Sequence, residues 1–437
     1  MDGMARMPKC IDQIITGNWL DVQEGLPAGC CHTCVTSPPY WGLRDYGIEP
    51  VDWPAVEFIP VAGLPPITIP AQSCPFGLEA DPWSYVGHSV LVFRAVYRVL
   101  RDDGTLWLNL GDAYSHGNSG GAVDVRTDGR NTTPGDKVRG RMAGANTLSP
   151  GLKPKDLLGI PWMVAKALQA DGWYLRSEII WHKPNPMPES CRDRPTKGHE
   201  QIFLLSKRPK YFYDAEAIRE EGEGYGRCEG FRSKRYENNR SFDNDADAPR
   251  SGAHTASYEG GRNKRTVWTV ATAPFSEAHF ATFPPKLIEP CIAAGSSEKG
   301  CCAECGAPWE RVVEKERVRT RPGLDSKSYD RTTGEIVDDG IEKPWRDRAE
   351  IGNRDPGRHV TETTTTGWRP TCECGNDPIP CTVLDPFIGA GTTALVAAGL
   401  GRHYIGIEAN AEYAEQARQR VHGPLFASKS QEANHDA

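Results

Sequence analysis

Ser37-Pro38-Pro39-Tyr40-Trp41 follows a short apolar run, Cys34-Val35-Thr36. The Ser37 hydroxyl and the Pro38 carbonyl are both acceptors, and two prolines fix the backbone that presents them. Acceptors placed in this way suit attack by the exocyclic amino group of a base on a methyl donor. Such a nitrogen is a poor nucleophile, because its lone pair is delocalised into the ring. Accepting its hydrogens aims that pair at the methyl. Tyr40 can stack on the flat ring and hold it outside a duplex. The plainer alternative is a proline-rich turn with an aromatic packed on it, since turns favour Pro and Ser.

Near the other end stands Val383-Leu384-Asp385-Pro386-Phe387-Ile388-Gly389-Ala390-Gly391-Thr392-Thr393. An apolar strand ends at Asp385, two glycines let the backbone turn close to a ligand, and a helix opens at Thr392. The next strand ends at Glu408, whose carboxylate can accept hydrogen bonds from ribose hydroxyls. By itself Gly389-x-Gly391-x-x-Ala394 also fits a nicotinamide-dinucleotide fingerprint, or an ordinary strand–turn–helix. An acid and an aromatic crowded into the turn, Asp385 and Phe387, weaken the nicotinamide reading.

Together the two motifs resemble the amino-methyltransferases of DNA, in the permuted β class where the catalytic Ser-Pro-Pro-Tyr precedes the cofactor motif. Val99 to Asn109, Glu178 to Asn185, His199 to Phe203 and His279 to Pro284 resemble the family's intervening segments, in its order. The matched segments run from Gly17 to about Val421 and leave four irregular stretches without a close match. The resemblance implies S-adenosylmethionine as donor. It places Asp385, Phe387, Gly389, Gly391 and Thr392 around the cofactor, Glu408 on its ribose, and Phe283 and Pro284 over its other side. Ser37, Pro38, Pro39 and Tyr40 are then the catalytic loop. Gly17-Asn18 stands where relatives often have Gly-Asp.

Carbon-5 methylation of cytosine needs a thiolate in a Pro-Cys turn. Pro290-Cys291 falls instead within a helix after Phe283-Pro284-Pro285 and reads as a buried structural cysteine. Serine at the first motif position leans, in the family, towards cytosine N4 and away from adenine N6. Three other readings stay open: an N6-adenine enzyme, an inactive nucleic-acid-binding zinc protein on the same fold, and a nicotinamide oxidoreductase.

These motifs need a frame. Strand-like runs at Cys34–Thr36, Thr105–Leu110, Leu175–Trp181, Gln201–Leu205, Thr382–Leu384 and Tyr404–Glu408 alternate with helical patterns. The helical patterns cover Ser89–Leu100, Pro161–Ala170, Thr392–Ala398 and Ala411–Val421. The expected fold class is α/β, a doubly wound and mostly parallel sheet of the Rossmann-like methyltransferase kind. Expected divisions are a catalytic half (10–219), a target-recognition insertion (220–264), a cofactor-covering segment (265–299), a zinc-ribbon-like insertion (300–376), a cofactor-binding half (377–424) and a disordered tail (425–437). The stretch Asp45–Phe93 has six acids, no Lys or Arg and many prolines, and is expected to be irregular.

Composition sets the outer bounds. The 437 residues carry 51 Lys and Arg against 58 Asp and Glu, a formal charge of −7, which excludes coating nucleic acid by bulk charge. Contact with double-stranded DNA must then be local. Arg126–Arg141 has five basic residues against two acids, and Arg227–Arg265 nine against six. No apolar run resembles a signal peptide or a membrane span, so a cytoplasmic monomer or homodimer is expected, with a cognate restriction endonuclease as a possible companion. Fourteen cysteines in so long a chain point to thiols or metal rather than a disulfide scaffold. Cys302-x-x-Cys305-Gly and Cys372-x-Cys374-Gly offer four thiolates for one structural Zn²⁺, with Cys301 and Cys381 as spare ligands; reduced surface cysteines are the alternative.

Overall fold

The computed structural model describes residues 11–43, 45, 47–115, 152–222, 258–272, 283–319, 328–329, 336–337 and 359–422. One compact unit comprises residues 1–218, 265–310 and 368–437; a second comprises 219–264 and 311–367. The segment expected as one insertion, 300–376, is therefore divided, and its four cysteines belong to the first unit. Most of 220–264 lies outside the described residues, as do Arg126–Arg141, His279 and the tail from 425.

The first unit is built on eight strands: β1 (Gln13–Thr16), β2 (Cys31–Thr36), β3 (Leu100–Leu110), β4 (Tyr174–His182), β5 (His199–Ser206), β6 (Val267–Thr269), β7 (Thr382–Asp385) and β8 (His403–Glu408). They form one sheet in the order β1-β8-β7-β2-β3-β5-β4-β6. Only β5 runs against its neighbours β3 and β4; the other pairings are parallel. This is the doubly wound, mostly parallel sheet expected from the alternation of strands and helices.

Among the described residues, five helices of eight residues or more cover the sheet: α1 (Pro82–Val99), α2 (Ile160–Ala170), α3 (Pro285–Gly295), α4 (Thr392–Gly399) and α5 (Ala411–His422). Because strand side chains alternate, each strand feeds two cores. Leu106, Leu108 and Leu110 of β3 pack with Val86, Val90, Phe93 and Val96 of α1 and with Val164 and Leu168 of α2. Trp107 faces the opposite way, into a core with Leu287, Ile288 and Ile292 of α3, Ala394 of α4 and Ala417 of α5. Cys34 and Val35, and Leu384 and Val383, divide in the same manner.

Two departures from the sequence reading have clear causes. α1 starts at Pro82 rather than Ser89, because Asp81 caps it by accepting the Trp83 and Ser84 backbone N–H groups at 2.9 and 3.1 Å. The acidic, proline-rich stretch before it is not irregular. Val51–Trp53 pairs with Gln72–Cys74, and Val56–Phe58 with Ile67–Ile69, as two antiparallel ribbons. Trp53 stacks on buried His88 of α1 at 4.1 Å, while Val56, Phe58 and Ile69 close over Gly87. In the second unit, Glu220–Gly222 pairs with Tyr258–Arg262, and Ser328–Tyr329 with Ile336–Val337. Among the described residues no helix is long and apolar enough to cross a membrane.

Candidate active site

From β2 the chain crosses to β3 on one side, and from β7 it crosses to β8 on the other. The winding thus reverses between β2 and β7, which are adjacent and parallel, with Leu384 opposite Cys34. In an open α/β sheet the carboxyl ends of two such strands leave a crevice where ligands bind. Ser37 follows the end of β2 and Phe387 the end of β7, so both motifs open onto this point.

Asp385 joins them. Its carboxylate accepts from the Thr36 hydroxyl (2.7 Å) at the end of β2, from the Thr393 hydroxyl (2.6 Å) in α4, and from the Phe387 N–H (3.0 Å) in the turn. It is 1% exposed, and burial pushes its pKa up to about 7 against the pull of these donors. The structure thus gives Asp385 a place between the motifs, holding one to the other.

Glu408, at the end of β8, is also buried, and burial raises its pKa. Its carboxylate accepts the Gly389 N–H at 3.0 Å and the Asn410 N–H at 2.9 Å. Backbone donors thus hold both oxygens in place, and a carboxylate has about four acceptor directions in all. At Gly391 an added Cβ would lie 3.2 Å from the Ala417 backbone, so the turn tolerates no side chain there. Thr392 accepts from Arg420 at 3.0 Å and is buried. Phe387 packs on Phe76 at 5.6 Å between ring centres. Pro284 caps α3, and Phe283 packs on the core that α3 shares with α4 and α5.

On the β2 side Ser37 donates to the Tyr40 hydroxyl at 3.1 Å, leaving its own oxygen free to accept. Tyr40 in turn is within donor distance of Asn109 Oδ1 (3.1 Å) on β3 and Glu200 Oε2 (3.0 Å) on β5. Asn109 donates to Glu200, and Lys183 forms an ion pair with its other oxygen. The Tyr40 ring fits because residue 111 is glycine: a Cβ there would lie 2.5 Å from two ring carbons. Tyr85 donates to the Pro39 carbonyl (2.9 Å) and Trp41 to the Glu79 carbonyl (3.0 Å), which pins the loop. Among the described residues no donor is spent on the Pro38 carbonyl. The loop therefore keeps two acceptors, Ser37 Oγ and Pro38 O.

Asn109, Lys183 and Glu200 were not legible as site residues. Glu200 is one acid at the head of the apolar run Gln201–Leu205, and only strand pairing brings it to Tyr40. His182 and His199 sit opposite each other at exposed strand ends, each next in sequence to a member of this network, and His182 hydrogen-bonds Thr269. Cys291 is buried in α3 with its thiol directed to the Leu287 carbonyl. The cysteines 302, 305, 372 and 374 gather elsewhere in the unit, with ligand atoms within 4.8 Å of one another.

Comparison with known proteins agrees with this geometry. A model of the DNA methylase family N6_N4_Mtase matches residues 31–303 and 380–419, which contain the motifs of both strand ends. The type II methyltransferase M.Cfr9I of Citrobacter freundii is 36% identical over 94% of this chain and 87% of its own length. M.SmaI of Serratia marcescens is 34% identical over 94% and 90%. Among solved structures, a putative DNA modification methylase from Thermus thermophilus complexed with S-adenosyl-L-methionine is 15% identical; the alignment covers 94% of this chain and 92% of that one, with a TM-score of 0.41. With the family's profile spanning both halves of the site, the chain belongs to the N6/N4 DNA methylase family.

Proposed function

We propose that this DNA methyltransferase takes its methyl group from S-adenosylmethionine and places it on the N4 amino group of a cytosine turned out of double-stranded DNA. The observation that carries this reading is the pair of available acceptors, Ser37 Oγ and Pro38 O, one strand away from the Gly389–Glu408 turn. When bound, the cofactor supplies an electrophilic methyl on a sulfonium. Glu408 accepts its ribose hydroxyls, Gly389 and Gly391 let the backbone approach it, and Phe387 and Thr392 line that side with Asp385 behind them. Phe283 and Pro284 cover it from the head of α3.

Ser37 and Pro38 accept the two amino hydrogens, so the nitrogen lone pair points along the line of transfer. Pro39 holds the loop rigid, and the Tyr40 ring supports the flat base. A neutral serine cannot take up the released proton, which passes to water. Serine in place of an acid at residue 37 favours cytosine over adenine. Segment 220–264 reads the surrounding sequence, and the enzyme acts as a monomer or homodimer beside a restriction endonuclease of the same specificity.

Nucleoside mass spectrometry of DNA methylated by the protein is expected to show N4-methylcytosine. N6-methyladenine without N4-methylcytosine would establish the adenine reading instead. For the cofactor side, Glu408→Gln keeps one acceptor oxygen but turns an amide NH₂ towards one of two backbone N–H donors. Loss of a charged acceptor is worth about 1.5–3 kcal/mol, so calorimetric titration should show S-adenosylmethionine binding weakened roughly 10- to 100-fold. Unchanged affinity would remove Glu408 from the ribose site.

A further inference from the structure

At the amino ends of the central strands, away from the crevice, two cysteine turns face each other. Cys302, Cys305, Cys372 and Cys374 place their sulfurs within 4.8 Å of one another. Four thiolates at about 2.3 Å from one tetrahedral ion would be about 3.8 Å apart, so modest closure completes the shell. The two turns are built alike: Gly306 and Gly375, each directly after the second cysteine of its pair, have φ of +69° and +75°. They are also tied together. Thr371 donates to the Pro308 carbonyl at 2.6 Å, Asn376 donates to Glu304 at 2.9 Å, and Cys301–Cys302 pairs antiparallel with Pro378–Ile379. No carboxylate or imidazole belongs to this cluster, and an all-sulfur tetrahedral set selects zinc or iron over harder ions.

The nearby trio His32, Cys301 and Cys381 has no such capacity. Thr382 donates its backbone N–H to His32 Nδ1 at 3.0 Å, which puts the ring proton on Nε2; that nitrogen donates to the Gly306 carbonyl at 3.0 Å. Both nitrogens are occupied, and His32 is a clip rather than a ligand. It joins β2 to the first cysteine turn and to the start of β7. Arg101, at the start of β3, makes a second clip by donating to the Cys305 carbonyl at 2.8 Å while paired with Asp103. The cysteine turns thus grip β2, β3 and β7, which lead to Ser37, Asn109 and Asp385.

We infer that Cys302, Cys305, Cys372 and Cys374 bind one zinc ion, which takes no part in the chemistry and fastens the amino ends of β2, β3 and β7 through His32 and Arg101. The full chain should contain one zinc per molecule by elemental analysis after dialysis. Cys374→Ser should lower that content at least about tenfold, while Cys381→Ser should leave it unchanged. Absence of metal in the wild type, or equal content in Cys374→Ser, overturns the site; iron in its place overturns the choice of zinc. The fastening is tested by chelation. Removing the ion should lower the melting temperature of the wild type, and the drop should shrink in His32→Ala. Arg101→Gln gives the same comparison if His32→Ala does not fold. Equal drops in the wild type and the clip variant overturn the fastening.

Discussion

Replacing Ser37 by alanine is expected to slow methyl transfer about 100- to 1,000-fold while leaving S-adenosylmethionine binding unchanged. The hydroxyl donates to Tyr40 at 3.1 Å, so its oxygen is held in place with lone pairs still available to accept. Removing one preorganised acceptor or donor at a reacting centre typically costs about 2.7–4 kcal/mol of transition-state stabilisation. The loop itself should hold, because Tyr85 still binds the Pro39 carbonyl and Trp41 the Glu79 carbonyl. Tyr40 also keeps Asn109 and Glu200 as partners. Single-turnover transfer combined with calorimetric titration separates the two effects. A parallel fall in cofactor affinity, or a rate within a few-fold of wild type, would contradict the assignment of Ser37 to the amino group.

The second large effect concerns Asp385 and has a defined pH signature. In the folded protein its carboxyl titrates near 7, because burial opposes the charge; an unfolded aspartate titrates near about 3.9. Between those values the folded chain holds a proton that the unfolded chain has released. Stability from this group is therefore full below pH 4, falls as pH rises to about 7, and is constant beyond. The slope is about 1.4 kcal/mol per pH unit, for a total of about 4 kcal/mol as an upper figure. The geometry accommodates either form, since the Thr393 hydroxyl lies 3.4 Å from the Val35 carbonyl and can donate there when Asp385 is protonated. Asp385→Asn removes the titration, so the stability of wild type relative to this variant should decline between pH 5 and 7 in denaturant unfolding. Parallel profiles would contradict it. Asp385→Ala should be more severe at every pH. It strands the Thr36 hydroxyl and the Phe387 N–H, at about 1–3 kcal/mol for each buried group left unpaired, while Thr393 keeps the Val35 carbonyl as an acceptor.

Most of the frame was legible because its central strands are continuous, largely apolar runs. Leu106, Trp107, Leu108 and Leu110 announce a strand buried on both faces, and they are one. The glycine turn and the Ser-Pro-Pro-Tyr loop were legible because each carries unusual residue types in fixed order. What stayed hidden was short or held by distant contacts. β1 and β6 have four and three residues, too few for a period to show. The ribbons before α1 are built of three-residue strands whose apolar members make sense only once Gly87 and His88 lie beneath them. Glu200 gives no local sign of its place beside Tyr40, because β2, β3 and β5 must pair before the contact exists. Asp385 gives no local sign of its bond to Thr36, because that bond crosses between motifs 349 positions apart in the chain.

In the proposed mechanism the loop after β2 and the turn after β7 form one site for methyl transfer to an exocyclic amine. Incubating the protein with S-adenosylmethionine labelled at its methyl group and unmodified duplex DNA, then locating the label in the digested nucleosides, tests it most directly. Label is expected on an exocyclic amino nitrogen, with labelling about 100-fold or more slower in Ser37→Ala. Label on carbon 5 of cytosine, or no transfer by the intact protein, would contradict it.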